Sequence, residues 1–142
     1  DSGEIKIFQD EHEETLIMQF LKYFNKKNYN EVIGFNIPYD LRYIFAKCLK
    51  YRIPANGFFS LKQTDLMMIL KNVKQGYNFN QPGKLNDWTK TIFGKQKLYQ
   101  NTEIPELYRR GRIKDIIEYN TQDLQLEYEL WKRITFVLGL SN

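Results

Sequence analysis

EVIGFNIPYD, residues 31–40, begins as a β-strand and ends as the first turn of a helix. Glu31–Asn36 is rich in β-branched and aromatic residues, which favours a strand. Pro38 suits the start of a helix, because its fixed φ and missing N–H are tolerated there. The helix is predicted to continue with apolar residues at helical spacing and to stop before Pro54. A strand that leads directly into a helix is typical of an α/β domain, and it leaves Asp40 just past the carboxyl end of the strand.

The elements predicted on either side of this junction alternate between strands and helices. Upstream, Glu4–Phe8 alternates like a short strand, and Glu13–Phe24 carries the apolar stripe of a helix. The remaining predicted elements are a strand at Phe58–Leu61, helices at Asp65–Leu70, Leu85–Phe93 and from Arg112 to Gly139, a loop at Gln75–Lys84 and an exposed, polar and mobile connection at Lys95–Glu103. The order β-α-β-α-β-α-α-α predicts an α/β fold with helices packed on a central sheet, and residues 1–142 are expected to form a single domain.

Size and composition indicate a globular protein with a mild preference for polyanions. The chain has 142 residues, of which 42% are hydrophobic and 15% aromatic, enough for a buried core. The 21 basic and 17 acidic residues give a net charge of +4, which is compatible with nucleic-acid binding but common elsewhere. No apolar run approaches the ~20 residues of a membrane span, and the N-terminus lacks the features of a signal peptide. We therefore expect an intracellular protein that does not bind membranes.

The single cysteine and the single histidine exclude several kinds of site. Cys48 has no partner for an internal disulfide, and its apolar neighbours on the predicted helix indicate a small buried hydrophobe. His12 alone cannot build a multi-histidine metal site or a Ser-His-Asp triad. Any metal must therefore be held by carboxylates, and oxygen ligands favour Mg²⁺ or Mn²⁺.

YNTQD, residues 119–123, carries the strongest chemical signal of the last helix. Tyr119 and Asp123 are four residues apart, so their Cβ atoms should lie about 5–6 Å apart on one helix face. A phenol beside a carboxylate suits a metal-bound phosphate and its attacking water. Taken singly, each residue is more often an ordinary packing or solvated residue. A carboxylate flanked by Leu124 and the rest of an apolar stripe is nevertheless costly unless it is paired or metal-bound.

A second candidate group surrounds the strand-to-helix junction. Asp40 lies at the edge of the sheet where ligand sites form in α/β proteins. Asn36 could hydrogen-bond substrate or hold the loop, and Tyr39 could stack on a base or pack inward. The alternative is that Asn36 and Pro38 only shape a turn, and that Asp40 only stabilises the helix N-terminus through the macrodipole. Asp65 fits a helix cap better than a metal site and is the reserve candidate for a ligand.

The two groups occur in an order that resembles a known family. VIGFNIPYD, residues 32–40, resembles the second motif of the DEDD superfamily of ribonuclease-H-like 3′–5′ exonucleases, and YNTQD resembles the third motif in its tyrosine form, Tyr-x-x-x-Asp. The histidine form requires a histidine where this chain has Glu118. KLNDWTKTIFGK, residues 84–95, is similar to the helix between these motifs in the proofreading domains of family B DNA polymerases. The resemblance covers nearly the whole chain.

The resemblance implies a fold, a reaction and a set of residue roles. The fold would be a ribonuclease-H-like mixed sheet flanked by helices, and the reaction would be two-metal hydrolysis of phosphodiester bonds at the 3′ end of DNA or RNA. By the motif match, Asp40 and Asp123 would be catalytic residues that hold two Mg²⁺ or Mn²⁺ ions. Tyr119 would be catalytic by orienting the attacking water, and Asn36 would lie near the terminal nucleotide. The implied partners are a single-stranded 3′ end and a polymerase or another replication or repair protein.

One motif of the family has no counterpart in residues 1–142. The family carries an Asp-x-Glu pair on its first strand, whereas Asp1 and Glu4 are three residues apart and would not share a strand face. Glu4–Phe8 instead resembles the strand that follows the missing one, so the domain would be N-terminally incomplete and lack its first strand. Either the pair is supplied upstream, or the domain has lost it. The second alternative predicts a catalytically inactive domain that binds nucleic acid or a protein partner.

Basic and aromatic residues cluster around the penultimate predicted helix. Lys84, Lys95 and Lys97 are candidate substrate-binding residues, together with Asn36 and Tyr39. Aromatic residues interleave with these lysines, and aromatic faces beside cations are what single-stranded nucleic acid binds. The alternative for each residue is an ordinary one, namely a solvated lysine or an aromatic residue of the core.

Overall fold

The computed structural model describes residues 3–73, 83–99 and 101–140. The chain divides into two compact units, one of residues 7–79 and one of residues 1–6 and 80–142. Its elements are α1 (Glu13–Lys27), β1 (Glu31–Gly34), α2 (Ile37–Tyr51), α3 (Asn56–Phe59), β2 (Lys62–Asp65), α4 (Leu66–Val73), α5 (Leu85–Phe93), a 3-10 helix (Asn101–Glu103), α6 (Ile104–Arg109) and α7 (Ile113–Val137). The chain is thus mixed α/β and mostly helical, with a small parallel sheet, which confirms the predicted α/β class.

The unit of residues 7–79 is organised around a β1-α2-β2 crossover. β1 and β2 pair in parallel, with Glu31 opposite Lys62 and Gly34 opposite Asp65. Parallel strands need a crossover connection, and α2 supplies it. The carboxyl ends of both strands therefore lie at one edge of the sheet. The predicted strand-to-helix junction is confirmed, although β1 ends at Gly34 rather than at Asn36.

The core of this unit joins the apolar faces of α1 and α2 to a group of aromatic rings. Its buried members are Ile17, Leu21, Ile37, Leu41, Cys48 and Phe58. The rings of Phe20 and Phe24 meet the Phe58 ring edge-on, with centroid distances of 5.4 and 4.9 Å. Such aromatic pairs contribute about 0.5–1.5 kcal/mol each beyond the area that they bury. The prediction that Cys48 is a buried free thiol is confirmed.

Glu13 fastens the first turn of α1 to α2. Its carboxylate accepts hydrogen bonds from the hydroxyls of Tyr51 and Tyr43 at 2.6 and 3.0 Å, and it pairs with Lys47 at 2.6 Å. Hydrogen bonding to Lys47, followed by the bond from Tyr51, lowers the pKa of Glu13 to about 2. Because charge-assisted hydrogen bonds are stronger than neutral ones, this contact holds the two helices in one arrangement.

Two of the predicted strands are wrong. Residues 58–61 lie in and after α3, because the two phenylalanines pack as helical core residues, and a short apolar run does not by itself distinguish a strand from a buried helix. The second strand is instead Lys62–Asp65, a polar stretch without a strand pattern. Glu4–Phe8 forms no strand, and Phe8 packs its ring edge-on against Phe20 at 5.8 Å between centroids.

The other unit contains α5, α6 and the long helix α7. Its buried α7 residues are Tyr119, Leu126, Leu130 and Ile134, which recur at helical spacing. The carboxylate of Asp87 accepts the N–H of Lys84 at 2.8 Å and so begins α5, which ends at Gly94 with a left-handed φ of 68°. Both helices lie where the sequence predicts them, whereas the short helices between them were not predicted.

Two further expectations concern the loop before α5 and the lack of a membrane-spanning helix. The predicted loop at Gln75–Lys84 lies outside the described residues except for its last two positions. Within the described residues, no helix combines the length and the apolar character needed to cross a membrane.

Candidate functional site

Tyr119 and Asp123 lie one turn apart on the buried side of α7, as their spacing predicts. Tyr119 is 6% exposed, and the side chain of Asp123 is 19% exposed. Burial, and then the neighbouring carboxylate of Asp123, raise the pKa of the Tyr119 phenol. The phenol therefore keeps its proton at physiological pH, where it can orient a ligand by hydrogen bonding but cannot act as a base.

Lys97 places a cation on this pair. Its Nζ lies 2.5 Å from Asp123 Oδ2, 3.4 Å from Tyr119 Oη and 5.3 Å from the centre of the Tyr119 ring. Only 12% of the Lys97 side chain is exposed, so the ion pair is largely removed from water. In an enclosed ion pair, the attraction between the two charges offsets the free-energy cost of removing them from water only when the geometry is good and the remaining polar atoms are hydrogen-bonded. We call these three residues the Lys97–Tyr119–Asp123 cluster.

Two side-chain amides hold Lys97 in this position. The N–H of Lys97 donates to Asn86 Oδ1 at 2.9 Å. Gln122 Oε1 accepts the N–H of Leu98 at 2.7 Å, and Gln122 Nε2 donates to the carbonyl of Gln96 at 3.1 Å. The segment around Lys97 belongs to no helix or strand and is fastened by these bonds to α5 and α7.

One oxygen of the Asp123 carboxylate is left open. Oδ2 accepts from Lys97, whereas Oδ1 is buried and has no hydrogen-bond partner among the described residues. A buried acceptor without a donor costs about 1–3 kcal/mol, and more when it is charged. A cation or a donating ligand would remove this cost, so Oδ1 is the position of the cluster best suited to bind one.

A second polar group lies at the carboxyl edge of the sheet. Asp65, the last residue of β2, accepts with Oδ1 the N–H of Asn36 at 2.8 Å and that of Met67 at 2.9 Å. The bond to Met67 confirms the predicted helix-capping role, and the bond to Asn36 ties the end of β1 to the start of α4. Asn36 holds a left-handed backbone conformation with φ 60°. Asp65 Oδ2 is buried and, within the described part of the chain, has no partner.

Asp40 and Tyr39 follow on the first turn of α2. Tyr39 is 69% exposed, so its ring is available for stacking. Asp40 is exposed as a residue, but protein atoms around its carboxyl group displace water and raise its pKa. Burial of this kind disfavours the charged form, and a bound cation would favour it again. The structure therefore groups Asn36, Tyr39 and Asp40 in one unit, while the cluster with Asp123 belongs to the other.

The three candidate lysines have different surroundings. Lys97 joins the cluster, so the prediction that residues 95–103 form an exposed connection is wrong at this position. Lys95 instead contacts both carboxylate oxygens of Glu129 at 2.8 Å. Lys84 lies immediately before α5, where its N–H is bound by Asp87.

Three features in and around the cluster were not identified from the sequence, namely the role of Asn86, the role of Gln122 and the buried face of α7. Asn86 and Gln122 act on backbone groups, and such contacts leave no recognisable pattern in the residues that they bind. Gln122 lies inside YNTQD, but the motif leaves this position unspecified. The buried face of α7 also differs from the predicted stripe, because Leu124 is 50% exposed whereas Leu126 is buried.

The carboxylates of each unit fit a divalent ion only as parts of a larger ligand set. The described residues contain no group of three or more histidine, cysteine, aspartate or glutamate side chains that could hold a metal. They do offer two buried carboxylate oxygens without partners, Asp123 Oδ1 and Asp65 Oδ2. Oxygen donors of this kind suit Mg²⁺ or Mn²⁺, but one carboxylate does not make a site. The pairing of Asp40 with Asp123 stays a prediction.

The chain is similar to an uncharacterized protein of Methanocaldococcus jannaschii. The two are 27% identical over 136 residues, an alignment that covers 89% of this chain and 76% of that protein. No family model matches the chain, and no solved structure matches it. The similarity thus extends through most of both chains and brings no described activity with it.

Proposed function

We propose that this chain is most of a ribonuclease-H-like exonuclease domain of the tyrosine branch of the DEDD superfamily. The complete protein would remove nucleotides stepwise from the 3′ end of DNA or RNA, as the proofreading domains of family B DNA polymerases do. The observation that carries this proposal is the Lys97–Tyr119–Asp123 cluster, in which a buried phenol, an ammonium group and a carboxylate with an open oxygen are in contact. Metal-dependent phosphodiester hydrolysis needs groups that orient water, bind cations and hold a phosphate, and the three side chains of the cluster have the chemistry for these roles.

Tyr119 and Asp123 would position the attacking water. The raised pKa of Tyr119 keeps the proton on its oxygen, where it is hydrogen-bonded to Asp123, so the phenol would accept a hydrogen bond from the water rather than act as a general base. Asp123 Oδ1 has no donor among the described residues, so it is open to the cation that would hold the same water. The water would then be held from two sides, which restricts its approach to the phosphorus.

Lys97 would contact the phosphate of the scissile bond. A lysine ammonium group has three N–H donors. One of them faces Asp123 and another faces Tyr119. The third remains for a phosphate oxygen, which would explain why a cation is held beside an acidic motif. Lys84 and Lys95 would contact the substrate at greater distance from the reacting bond.

The remaining roles belong to residues at the carboxyl edge of the sheet and to the cofactor. We propose two Mg²⁺ or Mn²⁺ ions, held by Asp40 and Asp123 together with an Asp-x-Glu pair that residues 1–142 do not contain. Bound there, the ions would activate the water and stabilise the attacking and leaving oxygens. Asn36 would lie near the terminal nucleotide, and the exposed ring of Tyr39 would stack on its base.

Stepwise shortening of a 5′-labelled single strand in Mn²⁺ tests this proposal. The protein extended upstream of Asp1 should produce a ladder of products, and the 142-residue chain should produce little or none. Asp123→Asn should abolish the ladder. Glu118→Gln removes an exposed acid from the same helix and should leave the ladder unchanged. Undiminished cleavage by Asp123→Asn would remove Asp123 from the ligand set.

A second candidate function is binding of nucleic acid or a protein partner, such as a polymerase, without catalysis. The observation in its favour is that Lys97 already neutralises Asp123 from within the chain. This function predicts that single strands bind without divalent ions, with an affinity that falls as salt rises. It also predicts that the extended protein forms no ladder, so cleavage in Mn²⁺ would reject it.

A further inference from the structure

An open groove lies between the end of α5 and the last turns of α7. It has a volume of about 330 Å³ and is lined by Phe93, Glu129, Lys132, Arg133 and Phe136. Phe93 is the last residue of α5, and the other four lie on successive turns of α7. At 1.5 Å per residue, Phe136 lies about 20 Å beyond Asp123 along α7, so this groove is distinct from the Lys97–Tyr119–Asp123 cluster.

Two phenylalanine rings form the apolar part of the groove. Phe136 is 73% exposed, which is unusual for a side chain of this size. Phe93 is partly buried, and the guanidinium group of Arg133 lies over its ring at 5.5 Å from the centroid. This cation–π contact gives Arg133 no carboxylate partner among the described residues, so its N–H donors stay available to a ligand.

The charged residues of the groove leave a surplus of positive charge. Glu129 is the acid among the lining residues, and both of its oxygens are bound by Lys95 at 2.8 Å. Lys132 lies over the ring of Tyr128 at 4.6 Å. In the described part of the chain, neither Lys132 nor Arg133 forms an ion pair with a carboxylate. Two cations are therefore available to a ligand.

Exposed rings beside available cations match the chemistry of single-stranded nucleic acid. Its bases stack on aromatic faces, while its phosphates bind ammonium and guanidinium groups. A duplex hides the faces of its bases, and an acidic peptide would use the cations without needing an aromatic ring. The volume of the groove lies near the lower end of the range for small-ligand pockets, about 300–1,000 Å³, which suits one or two bases.

We propose that this groove binds single-stranded nucleic acid, with a base stacked on Phe136 and phosphates bound by Lys132 and Arg133. The inference rests on the proposed function in one respect, since the strand would be the one whose 3′ end reaches the Lys97–Tyr119–Asp123 cluster. The groove then acts as a second contact about 20 Å along the same helix. A strand must be several nucleotides long to occupy both places.

Fluorescence anisotropy with labelled oligothymidylates tests the groove in the 142-residue protein, with EDTA present to prevent cleavage. The unaltered protein should bind a strand of about 12 nucleotides more tightly than one of about 4, a range that spans known single-strand sites. Combined Lys132→Gln and Arg133→Gln substitution should weaken binding of the longer strand by about tenfold and lower the salt slope by about 1.4. Phe136→Leu keeps an apolar side chain but removes the ring, and should weaken binding by about fivefold or more.

Matched controls are available on the same helix. Lys114→Gln removes an exposed charge, and Val137→Ser removes an exposed apolar side chain beside Phe136. Neither residue lines the groove, so both variants should bind as the unaltered protein does. Thermal melting followed by circular dichroism should be unchanged in all four variants, because the substituted side chains are exposed.

The outcomes distinguish the groove from the proposed function. Weakening by the charge variant and by Phe136→Leu supports the groove. Weakening by the charge variant alone, or equal affinity for heparin or a duplex, shows simple attraction of polyanions or an acidic peptide and overturns it. Strand binding that no groove variant alters also overturns the groove while leaving the proposed substrate class standing. Absence of strand binding would count against both.

Discussion

The ammonium group of Lys97 lies 2.5 Å from the carboxylate of Asp123, a residue 26 positions later in the chain. Side-chain exposures of 12% and 19% show that the contact is largely enclosed. The charge of Asp123 is therefore balanced before any ligand arrives. Under the proposed function, a divalent ion at Asp123 would have to use the open Oδ1 or displace Lys97, so Lys97 would influence metal affinity as well as structure.

Replacing Lys97 with methionine should destabilise the protein by about 1–3 kcal/mol. Breaking a fully buried pair costs about 3–5 kcal/mol, and the partial exposure of this one reduces the loss. Urea unfolding followed by circular dichroism measures the change. Lys95→Met provides the comparison, because its pair with Glu129 is about half exposed on the lysine side and should be worth less than about 1 kcal/mol. Equal losses in the two variants would contradict an enclosed Lys97–Asp123 pair.

Gln122→Ala should release the segment that carries Lys97. The variant loses the acceptor for the Leu98 N–H and the donor to the Gln96 carbonyl, at a cost of about 1 kcal/mol per bond. Hydrogen exchange at the Leu98 amide should be faster than in the unaltered protein. Gln125→Ala removes an exposed glutamine from the same helix and should leave that amide protected. Unchanged exchange in Gln122→Ala would show that other contacts hold the segment.

Tyr119 should ionise later than the ordinary tyrosines of the chain. Burial raises its pKa above the usual value of 10, so the neutral form is favoured in the folded state and ionisation opposes folding. Stability should accordingly fall as the pH rises beyond 10. An ultraviolet titration of the 10 tyrosines should show a late component that is missing in Tyr119→Phe. A titration curve that this substitution leaves unchanged at its alkaline end would contradict the enclosure of the phenol.

Glu13 should make folding sensitive to acid. Its pKa is about 2 in the folded protein against an ordinary value of 4.5, so the stabilisation is present above pH 4.5 and is lost as the pH falls toward 2. Glu13→Gln should lower the melting temperature at pH 7. The melting temperatures of the two proteins should converge below pH 2, where the Glu13 carboxyl group is largely protonated. Parallel curves over the whole range would mean that Glu13 acts only through its uncharged contacts.

Two substitutions at Asn36 distinguish a role in backbone conformation from a role in substrate binding. The backbone here has φ 60°, which glycine adopts without cost and a β-branched residue adopts poorly. Asn36→Gly should keep the stability within about 1 kcal/mol, whereas Asn36→Val should lower it by about 1–3 kcal/mol. If the amide contacts the terminal nucleotide, Asn36→Gly should still impair cleavage by the extended protein. Full cleavage by this variant would leave Asn36 with a purely conformational role.

Helices with a regular repeat of apolar residues were predictable from the sequence, and contacts between segments distant in the chain were not. α1, α2, α5 and α7 each repeat apolar residues at helical spacing, and this local signal placed them correctly. β2 has the sequence KQTD, and its strand character arises from pairing with β1 across the α2 crossover. Such pairing depends on tertiary context rather than on local propensity. For the same reason Phe58 was expected in a strand, although the surrounding rings hold it in a helix.

In the candidate site, too, contacts that follow from local geometry were predictable, and contacts between distant segments were not. The contact between Tyr119 and Asp123 follows from helix geometry alone and was predicted. Lys97 was expected to bind substrate, but its contact with Asp123 depends on a segment without regular structure, which no periodic pattern describes. The helix-capping role of Asp65 was predicted from a local rule. Its bond to Asn36 was not, because the two residues are neighbours only in the folded sheet.

Gln122 binds the segment opposite it as a neighbouring β-strand would. Its Oε1 accepts one backbone N–H, and its Nε2 donates to one backbone carbonyl. These hydrogen bonds involve only main-chain atoms of Gln96 and Leu98 and do not use the side chains at either position. Side-chain substitutions at residues 96 and 98 that keep the Leu98 N–H should therefore leave Lys97 in place. The position of the positive charge is therefore set by Asn86 of α5 and Gln122 of α7 rather than by the side chains that neighbour Lys97 in the sequence.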